Sequence, residues 1–279
     1  MKGFVTLFML LGSCAVQIGC NTNAKETGAA STAPPMQLAF DAAQSDSAAV
    51  ALADRVLAAV GEKENLDAVR YLSFRFVIKS DTGTIADWRH DWDRVQHRYR
   101  LAGTLASGEQ ALVFLNLNTQ DGHAFLNGNP APEDDLQNLL AMAYSRFTSD
   151  TYWLLLPFKL KDPGARLEYL GTQQAGAASF EVIRLSFIDD VGLTPENAYN
   201  IFIDPGSHEI RRWEYFEHPE ARPLIAWWEN WQSFGALKFA LQRRLEESDR
   251  IISFEDLVVS SEVDANIFTV PAPTQAGME

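Results

Sequence analysis

From Tyr71 onward the side-chain period drops to two, and the stretch 84–93 shows what that demands. Trp88, His90 and Trp92 fall on one side, whereas Asp87, Arg89, Asp91 and Asp93 fall on the other. Successive residues of a strand point to opposite faces, so one face is dry and the other wet. That pattern predicts an antiparallel sheet packed on a single side. The charged set is expected to form a solvated, salt-bridged face.

The same period recurs along most of the chain. Strands are expected over residues 71–79, from 84, and over 99–105, 111–118 and 123–126. Seven more are expected over 166–172, 179–187, 199–203, 209–217, 224–231, 236–244 and 251–260. Turn residues such as Ser80-Asp81-Thr82-Gly83 and Asp204-Pro205-Gly206-Ser207 join them. Two segments break the pattern. Residues 46–60 carry Val50, Ala53, Leu57 and Val60 at helical spacing and stop at Gly61. Residues 132–148 carry Leu136, Leu139, Leu140, Met142, Ala143 and Phe147, with Pro132 suited to a first turn. Asp150 reads as the cap of a second short helix holding Tyr152, Trp153, Leu154, Leu155 and Leu156 ahead of Pro157. That apolar run is too short to span a bilayer, which takes about 20 residues. The fold class expected is α+β: a large curved antiparallel sheet, an unclosed half-barrel of about eleven or twelve strands with helices covering its concave face. A closed barrel with helices outside it or across its mouth is the competing layout.

The N-terminus supplies an address. Met1-Lys2 and the apolar residues 4–11 have the layout of a signal peptide. Small residues then precede a cysteine twice, at Leu11-Gly12-Ser13-Cys14 and Gln17-Ile18-Gly19-Cys20. Both resemble the lipobox of bacterial lipoproteins, in which cleavage leaves a cysteine that becomes the lipidated first residue. Cys14 has the better consensus but leaves a very short signal. Cys20 is therefore the expected attachment site, with Cys14 the alternative. The organisation expected is a signal peptide (1–19), a small-polar tether (20–45), one domain (46–271) and a tail (272–279).

Composition narrows the chemistry. A net charge of −14 without a basic stripe argues against nucleic acid as a partner. Both cysteines lie in the leader, which leaves the domain no thiol for disulfides, metal or nucleophilic attack. The five histidines show no metal-ligand spacing, and no nucleophile elbow, phosphate-binding loop or dinucleotide fingerprint is present. No cofactor, metal site or catalytic residue is assigned.

The order of lipobox, tether, helix, long sheet, helical insert and further sheet resembles the LolA/LolB-like superfamily of bacterial lipoprotein-sorting proteins. The closing segment DANIFTVP, with Phe268 and Pro271, is similar to the way those domains end on a final strand. The phrases WRHDWDRVQHRYR, YWLLLPFKLKDPG and VGLTPENAYNIFID resemble a set of bacterial lipoproteins within that group. The resemblance implies an unclosed barrel whose hydrophobic concave face accepts acyl chains. A lipidated member would be an anchored binder rather than a soluble shuttle.

Seven tryptophans and the central apolar cluster mark the candidate site. Trp88, His90, Trp92, Trp153, Leu154, Leu155, Phe158, Trp213, Trp227 and Trp231 are the cavity candidates, since indoles offer apolar area plus one donor. Trp227 and Trp231 are expected on one face and Trp228 on the other. Lys159 and Lys161 are candidates for an acidic head group at the rim, although lysines at a helix end also simply favour its dipole. The reading is a monomeric lipoprotein of the bacterial cell envelope, anchored to the outer membrane and facing the periplasm. It would bind a lipid, a lipoprotein acyl chain or another apolar molecule, and would not be an enzyme. The alternatives are an envelope hydrolase using a carboxylate with His90, and a scaffold whose tryptophan face meets another protein.

Overall fold

The computed structural model describes residues 39–188 and 194–271. The expected signal peptide, both cysteines, most of the tether and the tail from residue 272 lie outside them. Helix α1 (Ser47–Val60) and a short α2 (Lys63–Asp67) come first. Strands β1 (Tyr71–Ser80), β2 (Gly83–Asp93), β3 (Arg98–Thr104), β4 (Gln110–Asn116), β5 (Gly122–Leu126) and β6 (Asn129–Pro130) follow, and then helix α3 (Glu133–Lys159). The chain returns through β7 (Ala165–Ala175), β8 (Ala178–Phe187), β9 (Ala198–Ile203), β10 (Ile210–Phe216), β11 (Leu224–Phe234), β12 (Leu237–Leu245) and β13 (Ile251–Ser260).

All thirteen strands form one antiparallel, unclosed sheet in the order β6-β5-β4-β3-β2-β1-β13-β12-β11-β10-β9-β8-β7. The chain enters at the centre, walks to one edge, crosses to the other and walks back until β13 pairs with β1. The crossing is α3. Thirteen strands at ~4.8 Å spacing make an arc of about 58 Å, whereas a 27-residue helix is about 40 Å long. A helix shorter than the arc it bridges requires the sheet to curl around it. The architecture is therefore the α+β half-barrel, with α1 and α3 on its concave face.

Two core lobes result. The first half of α3 packs Leu139, Leu140 and Ala143 onto Trp88, Tyr99, Leu101, Val113 and Leu115. Its second half joins α1 over β1 and β7–β13 in the larger lobe. Residues 41–45, expected at the end of a free tether, are stitched to the β7 edge. Asp46 N bonds Leu167 O at 2.8 Å, Leu167 N bonds Ser45 Oγ at 3.0 Å, and Tyr169 N bonds Asp46 Oδ2 at 2.9 Å.

Several expectations need correction. The helical pair is one continuous helix, because the Ser149-Asp150-Thr151 run does not break it. Thr148 and Thr151 instead bond back to the carbonyls of Tyr144 and Phe147 inside the helix. Asp150 is accordingly a mid-helix residue, not a cap. The two-residue β6 was not expected. The DANIF segment is no final strand: Ala265–Phe268 forms a 3-10 turn, and Phe268 stacks under Arg98 at 4.7 Å.

The charged face of β2 is ion-paired as expected, but it is not uniformly solvated. Asp91 and Asp93 are 2% and 0% exposed. Tyr71 OH, Ser73 Oγ and Arg100 donate to Asp91 at 2.6, 2.8 and 2.7 Å. Arg98 donates to Asp93 at 2.7 Å and Arg70 at 3.4 Å. Burial alone would push the Asp93 carboxyl up, but these donors and the Gln96 amide outweigh it and hold it below its ordinary value.

Two outcomes follow. Gly61 ends α1 with a left-handed φ of 103°, and a Cβ there would fall 1.9 Å from Ala236 O. Gly61→Ala is expected to lower stability by about 2–4 kcal/mol in urea titration, since left-handed strain alone costs ~1–2 kcal/mol. The unfolded chain protonates at ordinary carboxylate values, about 3.9, before native Asp93 does. The Asp93 contribution is thus present at neutral pH and lost as pH falls below about 4. Asp93→Asn is expected to flatten the acid limb of the stability profile, read as urea midpoints against pH.

Candidate functional site

The concave face between α3 and β9–β13 is an aromatic wall. Tyr199 lies 5.2 Å from Trp213 and 5.3 Å from Tyr215, and Trp213 lies 5.4 Å from Trp228. From the helix, Trp153 meets Trp213 edge-on at 4.5 Å and Tyr152 meets Tyr199 at 5.5 Å. Strand alternation puts Trp213 and Trp228 inside. A left-handed residue, Asn230 (φ 57°), then breaks the alternation, so that Trp231 lies 6.3 Å from Trp228 on the same side. Trp227 faces the opposite way. It packs on the convex side with Phe180 and Phe202, beneath Arg212. The expected grouping of Trp227 with Trp231 is therefore reversed.

Arg243 lies at the centre of this wall, fully buried. Its guanidinium carbon is 3.4 Å from the Trp228 ring centre and 5.2 Å from that of Phe254, a desolvated cation–π stack. Nη1 donates to Ala240 O and Gln242 O, both at 3.0 Å, and Nη2 donates to Trp153 O at 2.7 Å. The last bond has a cause in the sequence. In α3 the Trp153 carbonyl should receive the N–H of the residue four places on, but that residue is Pro157, which has none. Arg243 satisfies the acceptor that Pro157 leaves orphaned, and so ties β12 to the helix. Burial pulls the Arg243 pKa well below its ordinary value.

The polar atoms of this wall are poorly matched. Among the described residues, Tyr152 Oη, Trp213 Nε1, Trp228 Nε1, Trp231 Nε1 and Arg243 Nε are buried without a hydrogen-bond partner, as is Trp92 Nε1 nearer the other lobe. Each unmade bond of this kind costs about 1–3 kcal/mol. Desolvation by burial also pushes the Tyr152 hydroxyl well above its ordinary pKa, so it remains a donor.

Where the two lobes meet, His90 is fully buried and stacks on Phe74 at 4.5 Å. Its Nδ1 is 2.6 Å from Tyr99 Oη. Burial holds the Tyr99 hydroxyl well above its ordinary pKa. Nε2 lies 3.4 Å from Asp150 Oδ2 without hydrogen-bond alignment, and Arg146 reaches the same oxygen at 3.3 Å. A histidine does meet an acid here, as the hydrolase alternative requires, but Asp150 is only 5% exposed. Substrate would reach the pair only after α3 moved.

The remaining candidates have structural partners. Leu154, Leu155 and Phe158 are 1%, 4% and 1% exposed in the main core. Trp88 is covered by Arg146 at 4.3 Å, and Trp92 meets Phe147 at 4.9 Å. Lys159 bonds Asp162 and Lys161 bonds Asp54, both at 2.6 Å. A cavity of about 320 Å³ opens away from the wall, lined by Arg98, Phe114, Asn116, Thr119, His123 and Phe268 among others. Among the described residues no cluster of three or more His, Asp, Glu or Cys is placed to hold a metal, and no helix is long and apolar enough to cross a membrane.

Sequence reasoning missed Arg243 and the role of Asp150, yet both carry a signal. In β12 the inward positions are Leu237, Phe239, Leu241, Arg243 and Leu245, a charge within an apolar alternation. In α3, Asp150 continues the stripe of Leu136, Leu140, Ala143 and Phe147. A charge on the buried phase of an element is the feature to look for.

No protein-family model matches the chain, and no curated protein does. Among solved structures the chain is similar to a LolA superfamily protein from Nitrosomonas europaea at 12% identity and a TM-score of 0.46, covering 80% of this chain and 97% of that one. It is similar to a DUF1329 family protein from Desulfovibrio piger at 10% identity and a TM-score of 0.47, covering 79% and 97%. It is also similar to the Mycobacterium tuberculosis lipoprotein LppX at 12% identity and a TM-score of 0.29, covering 76% and 96%.

Pro157 and Arg243 should be energetically coupled. Pro157→Ala supplies the missing N–H, so Arg243→Met is expected to cost about 1 kcal/mol less in that background than in the wild type, measured by a double-mutant cycle in urea.

Proposed function

We propose that this chain is a lipoprotein of the cell envelope, acylated at Cys20, that binds a lipid, acyl chain or other apolar molecule on the concave face of its half-barrel. The observation that carries this reading is the aromatic wall. Tyr199, Trp213, Tyr215, Trp228 and Trp231 form a continuous apolar surface, against which α3, with a proline in its last turn, lays Tyr152 and Trp153. Such a cover separates from the sheet without breaking any strand pairing, which makes α3 the element that yields to a ligand. Residues 20–45 then serve as the tether and residues 46–271 as the ligand-binding domain. The protein acts as a monomer at the outer membrane, on its periplasmic side, and performs no catalysis.

Two measurements test the reading. Native mass spectrometry of the purified protein should show a co-purified amphiphile, and brominated acyl chains should quench tryptophan fluorescence saturably. Absence of both defeats the binding claim. Metabolic labelling with an alkyne fatty acid should mark the wild type and the Cys14→Ser variant but not Cys20→Ser. The reverse pattern moves the anchor to Cys14, and no label in the wild type removes it.

A further inference from the structure

Resting on the binding reading above, we infer that the ligand carries an acidic head, a carboxylate or phosphate at the end of its apolar chain, and that Arg243 receives it. Arg243 is fully buried and, among the described residues, has no Asp or Glu within ion-pair distance. Buried arginines are ordinarily paired with an anion, because an uncompensated charge in a low-dielectric interior is expensive. Here the guanidinium has only three backbone carbonyls, and its Nε–H has no acceptor.

The surroundings share this one-sidedness. The unpartnered groups of the wall are Trp213 Nε1, Trp228 Nε1, Trp231 Nε1 and Tyr152 Oη. Three of the four are groups that only donate, and Tyr152 holds its proton. An alcohol or amine head would add further donors to a region already short of acceptors. An oxyanion supplies only acceptors, and it neutralises the guanidinium charge, which the Trp153 carbonyl that Arg243 now bonds does not. The Trp228 and Phe254 rings flank the guanidinium and leave its edge, where the N–H groups lie, as the side an anion approaches. The two lysines that the sequence suggested for an acidic head are each bonded to a carboxylate of the chain, Asp162 and Asp54. Among the described residues Arg243 has no such competitor.

The test compares ligands that share one chain. The probes are dibromostearate, its methyl ester and the lysophosphatidic acid bearing the same dibromostearoyl chain. Each is titrated into the full chain with Cys14 and Cys20 replaced by serine, and quenching of tryptophan fluorescence is recorded. The acids are expected to bind at least about tenfold more tightly than the ester, the value of one charge-assisted bond. Preference for the carboxylate or for the phosphate identifies the head-group class. In Arg243→Gln the advantage of the acids should collapse below about threefold while ester binding persists, whereas Arg243→Lys should keep part of it. Trp228→Phe, which keeps an aromatic ring but removes an N–H, should weaken the acids by a few-fold more than it weakens the ester. Circular dichroism checks the fold of each variant. If Arg243→Gln does not fold, Arg243→Lys and Trp228→Phe carry the comparison. Equal affinity for acid and ester in the wild type, or an acid preference unaltered in the folded variants, overturns the inference and leaves apolar binding intact. No saturable quenching by any of the three probes overturns the binding reading itself, and this inference with it.

Discussion

One helix has to carry the chain from one edge of a thirteen-stranded sheet to the other, and the rest of the molecule follows from that distance. The arc is longer than the helix, so the sheet curls until its edges come within reach. The curl creates a concave side, and the helix that caused it occupies that side. This gives α3 two tasks with conflicting demands. It spans the concavity as a rigid strut, yet it must be held down by contacts that involve no strand pairing. Its attachment is therefore made of side chains: Leu139, Leu140 and Ala143 at one end, Leu154, Leu155 and Phe158 at the other, with His90 and Arg243 as polar contacts between sheet and helix.

The two faces of the sheet treat polarity in opposite ways. On the convex side even the buried carboxylates are surrounded by donors: Asp91 accepts from three side chains, and Asp93 from Arg70 and Arg98. On the concave side the donors outnumber the acceptors, and several indoles and one guanidinium atom go without. A sequence that can satisfy Asp91 so completely has no general difficulty placing partners. Among the described residues, five of the nine unpartnered buried side-chain atoms (Tyr152 Oη, Trp213 Nε1, Trp228 Nε1, Trp231 Nε1 and Arg243 Nε) sit where α3 meets the sheet.

Strand positions were legible because alternation along one-sided strands is a local property. Residues 251–260 and 179–187, for example, read almost to the residue. What failed depends on tertiary context. Asp150 looks like a helix cap until the buried surface beneath it is known. Trp227 and Trp231 share a parity, and only the left-handed backbone at Asn230 undoes it. The solvation of Asp91 and Asp93 is set by Tyr71, Arg70, Arg98 and Arg100 folding over them, which no window of sequence records. For the site, the aromatic wall was visible as a set of inward tryptophans. Arg243 was hidden between Gln242 and Arg244, although its strand phase betrayed it.

The seam between residues 41–46 and the start of β7 has a mechanical meaning. Whatever pulls on the chain upstream of Ala39 does not pull first on the core. It loads the backbone bonds at Leu167 and Tyr169 on the open rim of the sheet. Behind that seam lie α1 and then β1, in the middle of the strand order. A modest load would be borne at the rim, and only after the seam parted would tension reach the centre of the sheet, so the rim works as a mechanical fuse for the fold.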